Sequence, residues 1–103
     1  MAMTSDDLIH HMACDFAQWV HELVPGWDRE LQPAESFTDT VCSAFGDAPT
    51  EESIVDAYKT GAAARAVREH MTWCWETDLV TDAAAKALVE RTIVNNLGKE
   101  ALQ

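Results

Sequence analysis

Histidine and cysteine occur together twice in this chain at a spacing of four residues, as His10 with Cys14 and as His70 with Cys74. On a helix such residues share one face, so each pair could bind one ion. Two pairs could form a Cys2His2 zinc site if their helices packed side by side. His10 and Cys14, however, lie at the edge of a polar face, and this spacing arises easily by chance. We therefore expect no metal and no cofactor, with a zinc-stabilised domain as the less favoured alternative.

The same cysteines could act as nucleophiles if a histidine took their proton. No sequence around any cysteine carries a protease or phosphatase signature. Glycine-rich phosphate loops are also missing from the sequence, because Gly98-Lys99 follows a predicted helix rather than preceding one. We expect the thiols to be small core side chains. The sequence therefore predicts no catalytic or cofactor-binding residue and no enzymatic activity.

The cysteine count and the N-terminal residues indicate the compartment. Cys14, Cys42 and Cys74 are odd in number and lack Cys-x-x-Cys spacing, which is typical of free thiols in a reducing environment. Residues 1–7 have neither a basic region nor a long apolar run, unlike a secretory signal. No stretch holds 18 consecutive apolar residues. We expect a soluble, cytoplasmic protein without membrane contact.

Charge is distributed unevenly along the chain, whose net charge is −11. Residues 1–58 hold twelve acidic residues and one basic residue, Arg29, whereas residues 59–103 hold six of each. Nucleic acid and anionic membranes repel such a surface, so neither is expected as the direct partner. A protein with a basic surface is the favoured partner.

The apolar periodicity predicts helices and no strands. The first helix should run from about Ser5 to Val24, and the second should start with Pro33 and stop at Gly46. A third should begin at Thr50, break near Gly61 and then resume. The last should start at Thr81-Asp82, bury Ala85, Leu88, Val89 and Ile93, and end at Gly98. Residues 1–103 are therefore expected to form one all-α domain, a bundle of four or five helices.

The first helix has the most regular pattern in the chain. At about 100° per residue, one continuous apolar arc contains Leu8, Ile9, Met12, Phe16, Trp19, Val20 and Leu23. Trp19 lies at the centre of this arc, which predicts that Trp19→Ala costs about 3–5 kcal/mol of stability. The opposite face holds His11, Asp15, Gln18 and Glu22. On the second helix, Glu35, Asp39 and Ser43 should point outward.

Two tryptophans in the middle of the chain cannot share one helix face. Trp73 and Trp75 are two residues apart, so they point about 160° away from each other. Trp75 continues the apolar stripe of Val67, Met71 and Cys74. Trp73 then either packs on a second side of a central helix or is an exposed anchor for a partner. Trp27, in the turn after Pro25-Gly26, is predicted to be a lid on the core.

These features favour a small acidic protein-binding module with no reaction centre. Its predicted contact residues are Asp15, Glu22, Glu35, Asp39 and Trp73. In size and charge the chain resembles the small acidic proteins that phages use against bacterial defence complexes, including anti-CRISPR proteins. The resemblance implies an inhibitor or adaptor whose carboxylates replace phosphates in a basic, nucleic-acid-binding groove. The alternative is a structural protein that self-associates as a homodimer through Trp73 and the neighbouring alanine face.

Overall fold

The described part of the chain folds into α-helices, as the periodicity of the sequence predicts. The computed structural model describes residues 4–27 and 33–103, so most of the irregular turn predicted for residues 27–32 lies outside the described residues. The helices are α1 (Ser5–Leu23), α2 (Thr38–Phe45), α3 (Glu51–Lys59), α4 (Ala62–Cys74) and α5 (Asp82–Leu97). Short 3-10 helices cover Ala34–Phe37 and Lys99–Leu102. The described residues form an all-α bundle without strands, which confirms the predicted fold class.

Three of the five α-helices in the described ranges start with a side-chain cap. Thr4 and Thr81 each accept, through Oγ1, the backbone N–H three residues later at 3.1 Å. Thr50 and Ser53 cap one another: Thr50 Oγ1 accepts the Ser53 N–H at 3.1 Å, and Ser53 Oγ accepts the Thr50 N–H at 2.8 Å. Each cap satisfies an N–H that has no acceptor within its own helix. The helix starts predicted at Thr50 and Thr81 are therefore confirmed.

Gly61 separates α3 from α4 and confirms the predicted break. Its φ of 83° lies in the left-handed region, which glycine adopts at little cost. The chain changes direction there, so the buried stripe passes from Ile54 on α3 to Val67 and Met71 on α4.

The predicted second helix differs from the structure in its first turn. Pro33 precedes the element rather than opening an α-helix, and Ala34–Phe37 form a 3-10 helix that leads directly into α2. Phe37, Val41 and Phe45 are buried, and Gly46 ends α2, as predicted.

The core lies where α1 packs on α5 and α4 packs on both α2 and α5. All four residues predicted to face inward on α5 are buried. On α1, Met12, Phe16 and Val20 are fully buried. Within the described residues, no helix combines the length and the apolarity needed to cross a membrane.

Trp19 is not the centre of the buried surface, and that prediction is wrong. It is only partly buried at the edge of the core, with the Arg91 guanidinium 4.5 Å from the ring centroid. Phe16, one turn earlier, is the fully buried aromatic residue of α1.

The partial burial of Trp19 changes the expected cost of truncating it. We expect Trp19→Ala to lower the free energy of unfolding by about 2 kcal/mol, below the range for a fully buried aromatic, because its cavity opens to solvent. Phe16→Ala is the matched variant and should cost clearly more. Urea unfolding of both variants measures the difference. Equal losses would show that Trp19 packs as deeply as Phe16.

Candidate protein-binding site

Trp73 is the most exposed large apolar side chain of the described residues. It lies in the last turn of α4 and is 80% exposed, whereas Val67 and Met71 on the same helix are fully buried. Helical geometry sends Trp73 away from the core face on which Met71 lies. Of the two alternatives left open by the sequence, the structure shows the exposed one.

Trp75 and Trp27 have the opposite environment from Trp73. Trp75 follows the last residue of α4, and its ring stacks on Phe37 with centroids 5.2 Å apart. Trp27 packs edge-on against Trp75 with ring centroids 6.0 Å apart, and its ring is tilted against Phe37 with centroids 6.2 Å apart. Such contacts stabilise a core beyond the area they bury. Trp27 therefore covers the core, and the predicted lid is confirmed.

A surface groove of about 500 Å³ lies beside Trp73, between α4 and the start of α5. Its lining consists of Arg65, Arg68, Glu69, Thr72, Trp73 and Asp82. Arg68 Nη1 donates to Asp82 Oδ1 at 2.8 Å, which connects the two helices across the groove. The two side chains are 52% and 84% exposed, so the ion pair adds little stability. Tryptophan and arginine in one concave patch are the residue types that dominate binding energy at protein interfaces.

Asp15 is buried, so the prediction that it faces outward is wrong. It is 8% exposed, and its Oδ2 accepts hydrogen bonds from Thr92 Oγ1 at 3.1 Å, Asn95 Nδ2 at 3.0 Å and Asn96 Nδ2 at 2.7 Å. A buried carboxylate needs such donors because it has lost its water. Asp15 therefore joins α1 to α5 and is not available as a surface contact.

Glu22 is on the surface but already has a partner. Its Oε2 accepts from Arg91 Nη1 at 2.6 Å, and the same guanidinium lies over the Trp19 ring. The Glu22 side chain is 49% exposed. Its charge is therefore offset by a cation of the same chain, which weakens its part in the predicted acidic surface.

Glu35 and Asp39 are exposed, in agreement with their predicted outward positions. They lie on the 3-10 helix and on the first turn of α2. Neither forms an ion pair with a described residue. Of the four predicted contact carboxylates, these two are both exposed and without an ion-pair partner among the described residues.

A group of exposed carboxylates that the sequence did not bring together lies at one end of the bundle. Ser5 Oγ donates to the Pro49 carbonyl at 3.2 Å, which holds the start of α1 beside the loop that precedes α3. Five exposed acidic residues lie within three positions of one partner in this bond: Asp6, Asp7, Asp47, Glu51 and Glu52. We name these five residues the acidic end. The sequence places them in two segments that are forty positions apart, and only folding brings the two segments together.

The two histidine–cysteine pairs remain separate. Cys14 Sγ lies 3.8 Å from His10 Nε2, and Cys74 Sγ lies 3.1 Å from His70 Nε2. Across residues 4–27 and 33–103, no three histidine, cysteine or acidic side chains are placed to hold a metal ion together. The four side chains therefore do not come together as a Cys2His2 site requires. Cys74 is also exposed, so its predicted place on the buried stripe is wrong.

Comparisons of the chain with protein-family models, with curated proteins and with solved structures gave no match.

Proposed function

We propose that this protein is a binding module for another protein, which it contacts through Trp73 and the adjacent groove. The observation that carries the proposal is the exposure of Trp73 at 80%, at the edge of a groove lined by two arginines. Exposing an indole to water forgoes roughly 2–3 kcal/mol of burial free energy, which a partner could recover. No catalytic role is proposed for the groove.

The charge of the chain supports a partner with a basic surface. Acidic residues exceed basic ones by eleven, and the acidic end concentrates five exposed carboxylates. Such a field raises the rate at which a positively charged partner arrives, even where the carboxylates contribute little to final affinity. An inhibitor or adaptor that occupies a basic, nucleic-acid-binding surface, as phage anti-CRISPR proteins do, is the specific form of this proposal.

Self-association through Trp73 is the second candidate function. The observation that favours it is the same exposed indole, since an isologous dimer would bury one copy of Trp73 from each chain. Molecular mass in solution across a range of concentrations separates the two candidates. A mass of one chain at all concentrations favours the binding module, whereas a dimer that Trp73→Ala dissociates favours self-association.

Charge reversal away from the groove tests the electrostatic part of the proposal. Glu35→Lys with Asp39→Lys changes the net charge from −11 to −7, because each reversal adds two units. A partner is first captured from cell extract on the immobilised chain and identified by mass spectrometry. We expect association with this captured partner to slow by about tenfold at low salt, with a smaller effect once salt screens the field. Stopped-flow or surface binding kinetics at two ionic strengths measure the rate.

The control for this variant reverses two exposed carboxylates in the balanced half of the chain, Asp78 and Glu100. It has the same net charge, so an equal slowing in both variants would assign the effect to total charge rather than to the acidic half. Glu90 is a poorer control, because its carboxylate interacts with Tyr58 and reversing its charge would disturb that contact. Burial and this carboxylate together raise the pKa of the Tyr58 hydroxyl. An association rate indifferent to salt and to both variants would contradict electrostatic attraction altogether.

A further inference from the structure

Cys74 is the exposed cysteine of this chain, whose three cysteines all lie in the described ranges. Its Sγ lies 3.1 Å from His70 Nε2. On the other side of the ring, His70 Nδ1 lies 2.9 Å from Thr40 Oγ1. Thr40 is fully buried, and its oxygen also accepts from Trp75 Nε1 at 3.4 Å. A thiol, an imidazole and a buried hydroxyl therefore form a continuous chain from solvent to the core.

This order of groups is the one that activates a nucleophile. For the Cys74 thiol to donate its proton to Nε2, the imidazole must carry its own proton on Nδ1. Thr40 Oγ1 is placed to accept that Nδ1 proton, which fixes the ring with Nε2 facing the sulfur. The arrangement matches the general pattern of a nucleophile, a base and a group that orients the base. Thr40 is a positioning residue here, because it acts only through His70.

The other two cysteines lack this arrangement. Cys14 is half-buried, and its sulfur is 3.8 Å from His10 Nε2. Within the described residues no side chain holds the remaining ring nitrogen of His10. Burial raises the pKa of the Cys42 thiol, and the Asp47 and Asp39 carboxylates raise it further. The chain therefore contains two internal controls for the reactivity of Cys74. Cys14 is a thiol with a more distant histidine, and Cys42 is a thiol with no histidine contact among the described residues.

We propose that Cys74 is a modification site that forms mixed disulfides with small disulfides, with His70 as the base. In this reaction Cys74 passes its proton to His70 Nε2, and the sulfur attacks one sulfur of a disulfide R–S–S–R. The S–S bond breaks, and its electron pair leaves with the second sulfur. That sulfur takes the proton from His70, so the products are Cys74–S–S–R and R–SH. Cys74 is oxidised and the departing half of the disulfide is reduced.

The position of Cys74 in α4 makes His70 necessary. Cysteines are often activated at helix N-termini, where the dipole favours a thiolate, but Cys74 is the last residue of its helix. The dipole gives its thiolate no help there. Exposure gives access to the disulfide, and the histidine provides the proton acceptor.

The test is the rate at which oxidised glutathione modifies each cysteine of the folded, reduced protein near neutral pH. Peptide mass spectrometry follows the three cysteines in one sample. We expect Cys74 to react about tenfold faster than Cys14, and His70→Gln to remove most of that advantage. The rate at Cys14 should not change in His70→Gln, and His10→Gln should leave the rate at Cys74 unchanged. An unchanged Cys74 rate in His70→Gln would overturn the proposal, because exposure alone would then explain the reactivity.

Thr40 variants test the positioning role. Thr40→Ser keeps a hydroxyl and should retain the fast Cys74 reaction, whereas Thr40→Val should slow it. A rise in Cys42 modification reports loss of the fold, since Cys42 is half-buried in the native chain. If Cys42 modification shows that Thr40→Val is unfolded, the Cys74 rates of Thr40→Ser and His70→Gln test the role of the Thr40 hydroxyl. A Thr40→Ser chain that stays folded but reacts as slowly as His70→Gln would contradict the role of the hydroxyl.

Discussion

Replacing Asp15 by lysine is expected to unfold this protein. The Oδ2 atom of Asp15 accepts three hydrogen bonds, from Thr92, Asn95 and Asn96, at a position that is 8% exposed. Lysine would remove the acceptor and place an ammonium group, which can only donate, against two amide N–H donors and a hydroxyl that have lost their acceptor. Thr92 is buried, and leaving its hydroxyl unpaired costs about 1–3 kcal/mol, while an unpaired ammonium at this buried site costs several kcal/mol more. The sum is comparable to the whole stability of a small domain, about 5–15 kcal/mol.

Circular dichroism and urea unfolding measure this effect. Asp39→Lys makes the same change on an exposed site and should shift the unfolding free energy by no more than about 0.5 kcal/mol. Asp15→Asn preserves the shape of the side chain and one acceptor oxygen. Its loss of unfolding free energy should therefore lie between those of Asp15→Lys and Asp39→Lys. A stable, fully helical Asp15→Lys chain would contradict the burial of this carboxylate, and its surface role would have to be reconsidered.

Replacing Trp73 by alanine is expected to weaken binding to the partner by about a hundredfold, which corresponds to roughly 3 kcal/mol. The indole is 80% exposed in the free protein, so its removal takes little from the core. The unfolding free energy should therefore stay within about 0.5 kcal/mol of the original value. This combination separates a contact residue from a structural one. Isothermal calorimetry with the captured partner gives the affinity, and urea unfolding gives the stability.

Leu79 provides the matched control for Trp73. It is the other large apolar side chain that the described residues leave exposed, at 49%, and it does not line the Trp73 groove. Leu79→Ala should leave affinity almost unchanged. Equal losses of affinity for both variants would indicate that the partner makes general apolar contacts. An unchanged affinity for Trp73→Ala would show that the groove is not part of the interface.

The helices were predictable because their signals are local. Thr50 and Thr81 cap the helices that they precede, and Gly61 interrupts the chain where a left-handed residue is needed. The inward residues of α5 follow from apolar spacing alone. The exposure of Trp73 is one of the two alternatives that the sequence predicts, because residues two apart on a helix cannot lie on the same face.

The errors have a common physical cause, which is that periodicity assigns faces by residue type. Asp15 lies one residue before the buried Phe16, and its charge suggested solvent, although the donors that satisfy it are 77 to 81 residues away. A signal existed on α5, where Thr92 and Asn96 stand one turn apart beside buried apolar residues and need a partner. The apolar spacing places Cys74 in the core because it is small and apolar, but α4 ends there and its side chain reaches solvent. The groove itself needs Asp82 of α5 beside α4, a contact that no local pattern contains.

The most direct test of the protein-binding proposal is the association and dissociation kinetics of the captured partner at low and at physiological salt, with the original chain and Trp73→Ala compared. The predicted result is an association rate that falls about tenfold or more with salt for both chains, together with much faster dissociation for Trp73→Ala. Charge would then set the association rate, and the indole would set the dissociation rate. Rates that change neither with salt nor with loss of Trp73 would contradict the proposal.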